Sequence, residues 1–241
     1  MDKRITTADG TMAVQVFHPA KPTKTGVILY MDAFGPRPAL AQMAERMAVL
    51  GHVVVLPDLF YRAGAYGPFD PLTAFTQDAT RAQLMGLMGA TSQDLTVRDT
   101  AALLDLLDAE GATGAVGAVG YCMGGARAMN AAAAYPDRIK AVASLHGGNL
   151  ASDAPDSPHL RAGRINAQVY VGCAGVDRSF PPEQSAKLAQ ALREAGLDHI
   201  IENYPGCQHG WCVPDHSVYD PEGAERHWRR LANLFTEGLT P

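Results

Sequence analysis

Apolar positions along the chain fall into two alternating patterns. Short, near-continuous runs rich in β-branched residues, such as GVILYM at residues 26–31 and HVVVLP at 52–57, have the form of strands buried on both faces. Longer segments repeat their apolar residues three and four apart, as in residues 91–110, where Leu95, Leu103, Leu104, Leu106 and Leu107 lie on one side of a helix that Gly111 ends. The alternation of the two patterns is that of parallel strands joined by crossover helices, an α/β chain throughout.

In chain order the pattern predicts an antiparallel-type edge strand at 12–18, the strand at 26–31, a helix at 38–50 stopped by Gly51, and the strand at 52–57. Helices at 76–88 and 91–110 follow. The remaining strands are 115–119, 141–145, 167–172 and 199–203, with helices after the first, third and last of these. Residues 58–75 (DLFYRAGAYGPFDPLTAF) are rich in Gly, Pro and aromatics, which suits an ordered excursion over a binding face. No linker, repeat or low-complexity tract divides the 241 residues, so one domain is expected, and 47% hydrophobic residues suffice for a large core.

Charge and cysteine content narrow the function classes. Twenty basic and 25 acidic residues give a net charge of −5 without any block of one sign, which argues against a nucleic-acid face or a polybasic membrane anchor and for a small-molecule partner. MDKRITTADGTMAVQVF has no apolar core of signal-peptide length, and no segment reaches the length of a transmembrane helix, so the expected location is cytoplasmic. Four cysteines, Cys122, Cys173, Cys207 and Cys212, are too few for a disulfide framework and are expected as thiols. The assembly expected is a monomer or weak dimer.

The chemistry concentrates at GAVGYCMGGARAMN. A strand runs into Gly120-Tyr121-Cys122-Met123-Gly124-Gly125 and then directly into a helix, the context of a nucleophile elbow. Side chains at Gly120 and Gly124 would crowd a sharp strand-to-helix turn, and the turn places Cys122 at a helix N-terminus, where free N–H groups favour an anion. The plain alternative for Cys122 is a small hydrophobe packing helix against sheet; strand, glycines and helix together favour a nucleophile.

A nucleophile needs a base and a group to orient it, in the chain order nucleophile, acid, histidine. Asp177 follows the strand at 167–172, with turn-forming or helix-capping as its plain alternative and Ser179 as a competing cap. His209, in YPGCQHGWCVPD after the last strand, is the best placed of eight histidines; His146 and His216 are its remaining competitors. The second oxyanion-hole amide, beside that of Met123, is expected from Ala33 in Asp32-Ala33-Phe34-Gly35. Cys207, His209, Cys212 and His216 fall close enough to raise a metal site, but their spacing is irregular and a metal would leave the elbow unexplained, so no metal is expected.

DAFG, PDLFYR, GYCMGG, GVDRSFPPE and CQHGW together resemble the dienelactone hydrolase family, the cysteine branch of the α/β-hydrolases, over almost the whole chain. The resemblance implies a mostly parallel sheet of seven or eight strands. It also implies a Cys122, His209, Asp177 triad that cleaves a lactone or activated ester through a thioester without metal or organic cofactor. It gives Asp32 the place of a family glutamate that contacts the resting cysteine, and with it the role of a proton acceptor for Cys122; the plain alternative for Asp32 is a turn residue holding its own loop. Arg62 matches one of the two family arginines that grip a substrate carboxylate, whereas His209-Gly210-Trp211-Cys212-Val213-Pro214 offers no second. With Tyr61, Phe34 and Trp211 as further substrate-binding candidates and Tyr30 nearby, the substrate expected is a more apolar or aromatic ester. The competing class is a thiol-redox or ligand-binding protein on the same fold, with Cys122 as sensor.

Overall fold

The computed structural model describes residues 1–239. In chain order the elements are β1 (Asp2–Thr7), β2 (Gly10–Phe17), β3 (Gly26–Tyr30), α1 (Pro38–Val49), β4 (Val53–Pro57), α2 (Asp78–Ala90), α3 (Gln93–Ala109), β5 (Val116–Tyr121), α4 (Met123–Ala134), β6 (Ile139–Leu145), β7 (Gln168–Val176), α5 (Pro182–Glu194), β8 (His199–Gln208) and α6 (Pro221–Leu239). All eight strands join one sheet in the order β1-β2-β4-β3-β5-β6-β7-β8. β1 and β2 pair antiparallel at one end, and β2 meets β4 antiparallel. The strands from β4 through β3 to β8 are parallel.

The uninterrupted apolar runs lie in the middle of this sheet because both faces there are covered. The side-chain position of Gly26 faces Leu107 of α3, while Val27 shares the opposite face with Phe235 of α6 beside Gly117. α6 turns Ala224, Trp228, Leu231, Leu234 and Phe235 inward, and the burial of each of the large side chains among them contributes about 2 kcal/mol. On that same face α1 lies beside α6, with Arg46 paired to Glu225 and stacked over Trp228. Parallel order brings the carboxyl ends of β3, β5, β6, β7 and β8 to one edge of the sheet, where open α/β sheets bind ligands.

Three departures from the sequence reading have local causes. β1 carries no apolar run: its residues alternate between exposed and half-buried on the sheet margin, so only its pairing with β2 marks it as a strand. β8 runs on through Tyr204, Pro205 and Gly206, a triplet that reads as a turn; as the last strand of the sheet it has a free edge, where a proline costs no ladder bond. β7 likewise extends to Val176, with a register shift between Ala174 and Val176. The excursion at 58–75 is ordered, with a 3-10 turn at Tyr61–Ala63, Tyr66 bonded to Asp58, and Asp70 capping the turn at Leu72. No helix among the described residues is long and apolar enough to cross a membrane.

Candidate active site

Cys122 stands between β5 and α4 with φ 53° and ψ −120°, a conformation that a residue with a side chain adopts only where its surroundings force it. The surroundings are tight. A Cβ on Gly120 would lie 1.9 Å from the Gly124 carbonyl oxygen, and one on Gly124 would lie 2.3 Å from that of Tyr30, so the first turn of α4 rests directly on the end of β3. The Cys122 N–H donates to Leu145 O and to His146 Nδ1, both at 3.1 Å, which ties the elbow to the end of β6.

His146 is fully enclosed, has φ 39°, and is held well below the usual imidazole range by burial and by the neighbouring His209, His216 and His227. Accepting at Nδ1, it is the neutral tautomer with its proton on Nε2. Its ring packs edge-on against His209, with centroids 4.8 Å apart.

Asp177 is the first residue after β7 and His209 the first after β8, so two neighbouring parallel strands deliver them side by side. His209 Nδ1 lies 2.7 Å from Asp177 Oδ2. The other oxygen, Oδ1, accepts from the Ser179 N–H at 2.8 Å and the Ser179 hydroxyl at 2.6 Å. Burial works against the Asp177 carboxylate, but the bonds from His209 and Ser179 hold it below its ordinary range. Burial also works against the His209 imidazolium, yet Cys122 and Asp177 beside the ring push it up to about 10.

The loop after β3 carries Asp32 and Ala33. Among the described residues no hydrogen bond engages the N–H of Ala33 or of Met123, the first residue of α4. Asp32 is wholly buried. Its Oδ1 accepts from the Phe34 N–H at 3.0 Å and from Arg37 at 2.7 Å, and its Oδ2 accepts from Arg37 at 2.9 Å with His216 Nε2 at 3.3 Å. Burial is outweighed by His216 and Arg37, so the carboxyl is held below its usual range. These contacts are those of a residue that shapes its loop; none joins Asp32 to Cys122 among the described residues.

The family model for the dienelactone hydrolase family matches residues 12–239. The chain belongs to the dienelactone hydrolase family. It is a hydrolase of that family, and a carboxymethylenebutenolidase of Rhodococcus opacus is 29% identical over 236 residues, covering 96% of this chain and 89% of the relative. Among solved structures, a protein of Klebsiella pneumoniae subsp. pneumoniae assigned as a dienelactone hydrolase superposes with a TM-score of 0.83 at 22% identity, covering 98% of each chain. A dienelactone hydrolase-like promiscuous phosphotriesterase from metagenomic libraries gives 0.79 at 24% identity, covering 100% of this chain and 99% of the other. At these identities the two structures speak for the fold.

On this dienelactone hydrolase scaffold the other sequence candidates are distributed unevenly. Phe34 sits beside the Ala33 amide, its ring edge-on to Phe75 at 5.4 Å and to His216 at 5.3 Å. Trp211 has no exposed surface; it is packed between Tyr204 and His146 and so does not line an open wall. Tyr30 is core, its hydroxyl paired with Thr100. Arg62 is engaged within the chain, forked onto Asp99 at 2.7 and 2.9 Å and bonded to Asp9 at 2.8 Å, and the Tyr61 hydroxyl spans Thr7 and Asp99. Both polar ends therefore point into scaffold contacts.

His216, a competitor for the base, turns its Nε2 to the Asp32–Arg37 pair, 3.3 Å from Asp32 Oδ2 and from Arg37 Nη2. Cys207 and Cys212 are buried thiols, Cys212 pushed well up by burial, and among the described residues no three His, Cys, Asp or Glu are grouped to hold a metal ion. Sequence reading did not find Arg37, Asp215 or Phe75. Arg37 and Asp215 lie 178 residues apart and meet only in the fold, whereas Phe75 stood at the end of a stretch already marked as covering a binding face.

Proposed function

We propose that the protein hydrolyses a carboxylic ester or lactone through a Cys122–His209–Asp177 triad and a thioester intermediate. The observation that carries this reading is the 2.7 Å bond from His209 Nδ1 to Asp177 Oδ2, made on two strand ends that face a strained cysteine at a helix N-terminus. Neither a turn aspartate nor a solvated loop histidine needs that partner.

In the proposed reaction the Cys122 thiolate attacks the acyl carbon, and the resulting oxyanion is met by the free amides of Met123 and Ala33. The carbon–oxygen bond to the leaving group breaks as the His209 imidazolium gives that oxygen its proton, leaving the acyl group on sulfur. His209, now neutral, takes a proton from water, whose oxygen attacks the thioester; the carboxylic acid departs and Cys122 regains its thiolate. Asp177 keeps the proton on Nδ1 so that Nε2 does the transfers, and Ser179 holds the second carboxylate oxygen so that the first stays on the ring.

Phe34 and Phe75 favour a neutral, apolar or aromatic ester as the small-molecule substrate. Arg62, Tyr61 and Trp211 belong to the scaffold in this reading, and Asp32 serves its loop. A panel of lactones, aryl esters and thioesters assayed with wild type, Cys122→Ala and Cys122→Ser tests the reading. Cys122→Ala should abolish turnover with the fold intact, and Cys122→Ser should lose most of it; full activity in Cys122→Ala would refute the proposal, while activity in His209→Ala would reassign only the base.

A further inference from the structure

We propose that Arg37 is a positioning residue that fastens the loop bearing the Ala33 amide to the loop bearing His209. This rests on the triad reading above. The guanidinium spends its donors on two carboxylates from distant parts of the chain. Toward its own loop, Nη1 donates to Asp32 Oδ1 at 2.7 Å and to Gly35 O at 3.3 Å, and Nη2 donates to Asp32 Oδ2 at 2.9 Å. Toward the other loop, Nε donates to Asp215 Oδ2 at 2.6 Å and Nη2 to Asp215 Oδ1 at 2.8 Å. Both pairs are forked, the geometry that makes an arginine–carboxylate contact directional as well as attractive. His216 closes the group, 3.3 Å from both Asp32 Oδ2 and Arg37 Nη2.

Each end of this fastening is rigidly joined to a group the reaction uses. Asp32 Oδ1 also accepts the Phe34 N–H, so the carboxylate that Arg37 grips sets the turn containing Ala33. On the other side, Asp215 and His216 end a run of tight turns in which Trp211 N–H donates to Gln208 O, Val213 N–H to Gly210 O and His216 N–H to Val213 O. The His216 ring lies flush on Gly210, next to His209, leaving so little room that a Cβ there would be 2.2 Å from its Nδ1. A shift of Asp215 therefore passes to His209 through a few stiff turns. Nothing else in the proposed chemistry uses Arg37, whose guanidinium is partly enclosed and fully paired. Oxyanion amide and base must act on one tetrahedral centre at once, and a displacement of about 1 Å can cost roughly a hundredfold in rate.

The test is steady-state kinetics on a neutral probe, p-nitrophenyl butyrate, with melting temperature followed in parallel. Arg37→Lys keeps the charge but cannot fork onto two carboxylates. Asp215→Asn lies at a partly exposed position and leaves the buried Arg37–Asp32 pair whole, so it is expected to fold even where an Arg37 variant does not, which the melting temperature checks. Each should lower kcat by roughly tenfold or more with KM within about threefold, and the double variant should be scarcely worse than the poorer single one, because both break one connection. The proposal is overturned if Asp215→Asn and folded Arg37→Lys keep the wild-type kcat, if only their melting temperatures fall, or if the loss lies wholly in KM. Cys122→Ala measured alongside separates the two readings: turnover by that variant removes the triad and this proposal with it, whereas an inactive Cys122→Ala beside a fully active Asp215→Asn removes the fastening alone.

Discussion

Asp177 and His209 meet at the ends of adjacent parallel strands, Oδ2 to Nδ1 at 2.7 Å, and the aspartate's second oxygen is fully occupied by Ser179. The acid thus has one orientation and the ring one tautomer. Asp177→Asn, which retains the shape but can present an N–H to the ring, should lower kcat by about a hundredfold or more with little change in KM. Stopped-flow or steady-state assay of the folded variant checks this, and a kcat within a few-fold of wild type would take the orienting role from Asp177.

His209 should titrate at about 10 because, against its burial, Cys122 and Asp177 favour the imidazolium. Cys122→Ala removes the largest of the raising influences, so the titration should move down toward the ordinary value of 6.5, followed by ring NMR shifts in both proteins. The sign for stability follows: a histidine raised in the folded state gives its full stabilisation below pH 6.5 and loses it as pH climbs through about 10. The melting-temperature advantage that wild type draws from His209 should accordingly shrink over that interval. An identical His209 titration in the two proteins would contradict the pairing of ring and thiol.

Phe75 is 44% exposed and leans edge-on over Phe34, next to the Ala33 amide. Phe75→Ala should lower kcat/KM for a phenyl-bearing ester by about tenfold relative to the matching acetate ester, with a melting temperature close to wild type. A ratio unchanged by the substitution would place the substrate elsewhere.

The central sheet and the placement of the candidate site were legible because they depend on local signals. Unbroken apolar runs mark strands covered on both faces, and the glycines at 120 and 124 answer to a turn that leaves no room for a Cβ. Asp177 and His209 could be anticipated from chain order, since parallel topology puts every strand's end at the same edge. What stayed hidden depends on partners distant in sequence. β1 is a strand only because β2 lies beside it, and Pro205 reads as a breaker until β8 is known to be the sheet's margin. Arg62 has the look of a pocket arginine until Asp99 and Asp9 are seen holding it, and Trp211, beside the histidine in sequence, points into the core. Asp32 allowed two readings from sequence; its bonds to Arg37, His216 and the Phe34 amide became visible only with the folded loops.

The central claim is that Cys122 carries the acyl group, and intact-protein mass spectrometry within a turnover tests it most directly. Wild type or His209→Ala mixed briefly with p-nitrophenyl butyrate and quenched in acid should gain the mass of one butyryl group, removable by hydroxylamine and mapped by digestion to the peptide containing Cys122, with none in Cys122→Ala. A butyryl group on another residue, or undiminished turnover by Cys122→Ala, would contradict it.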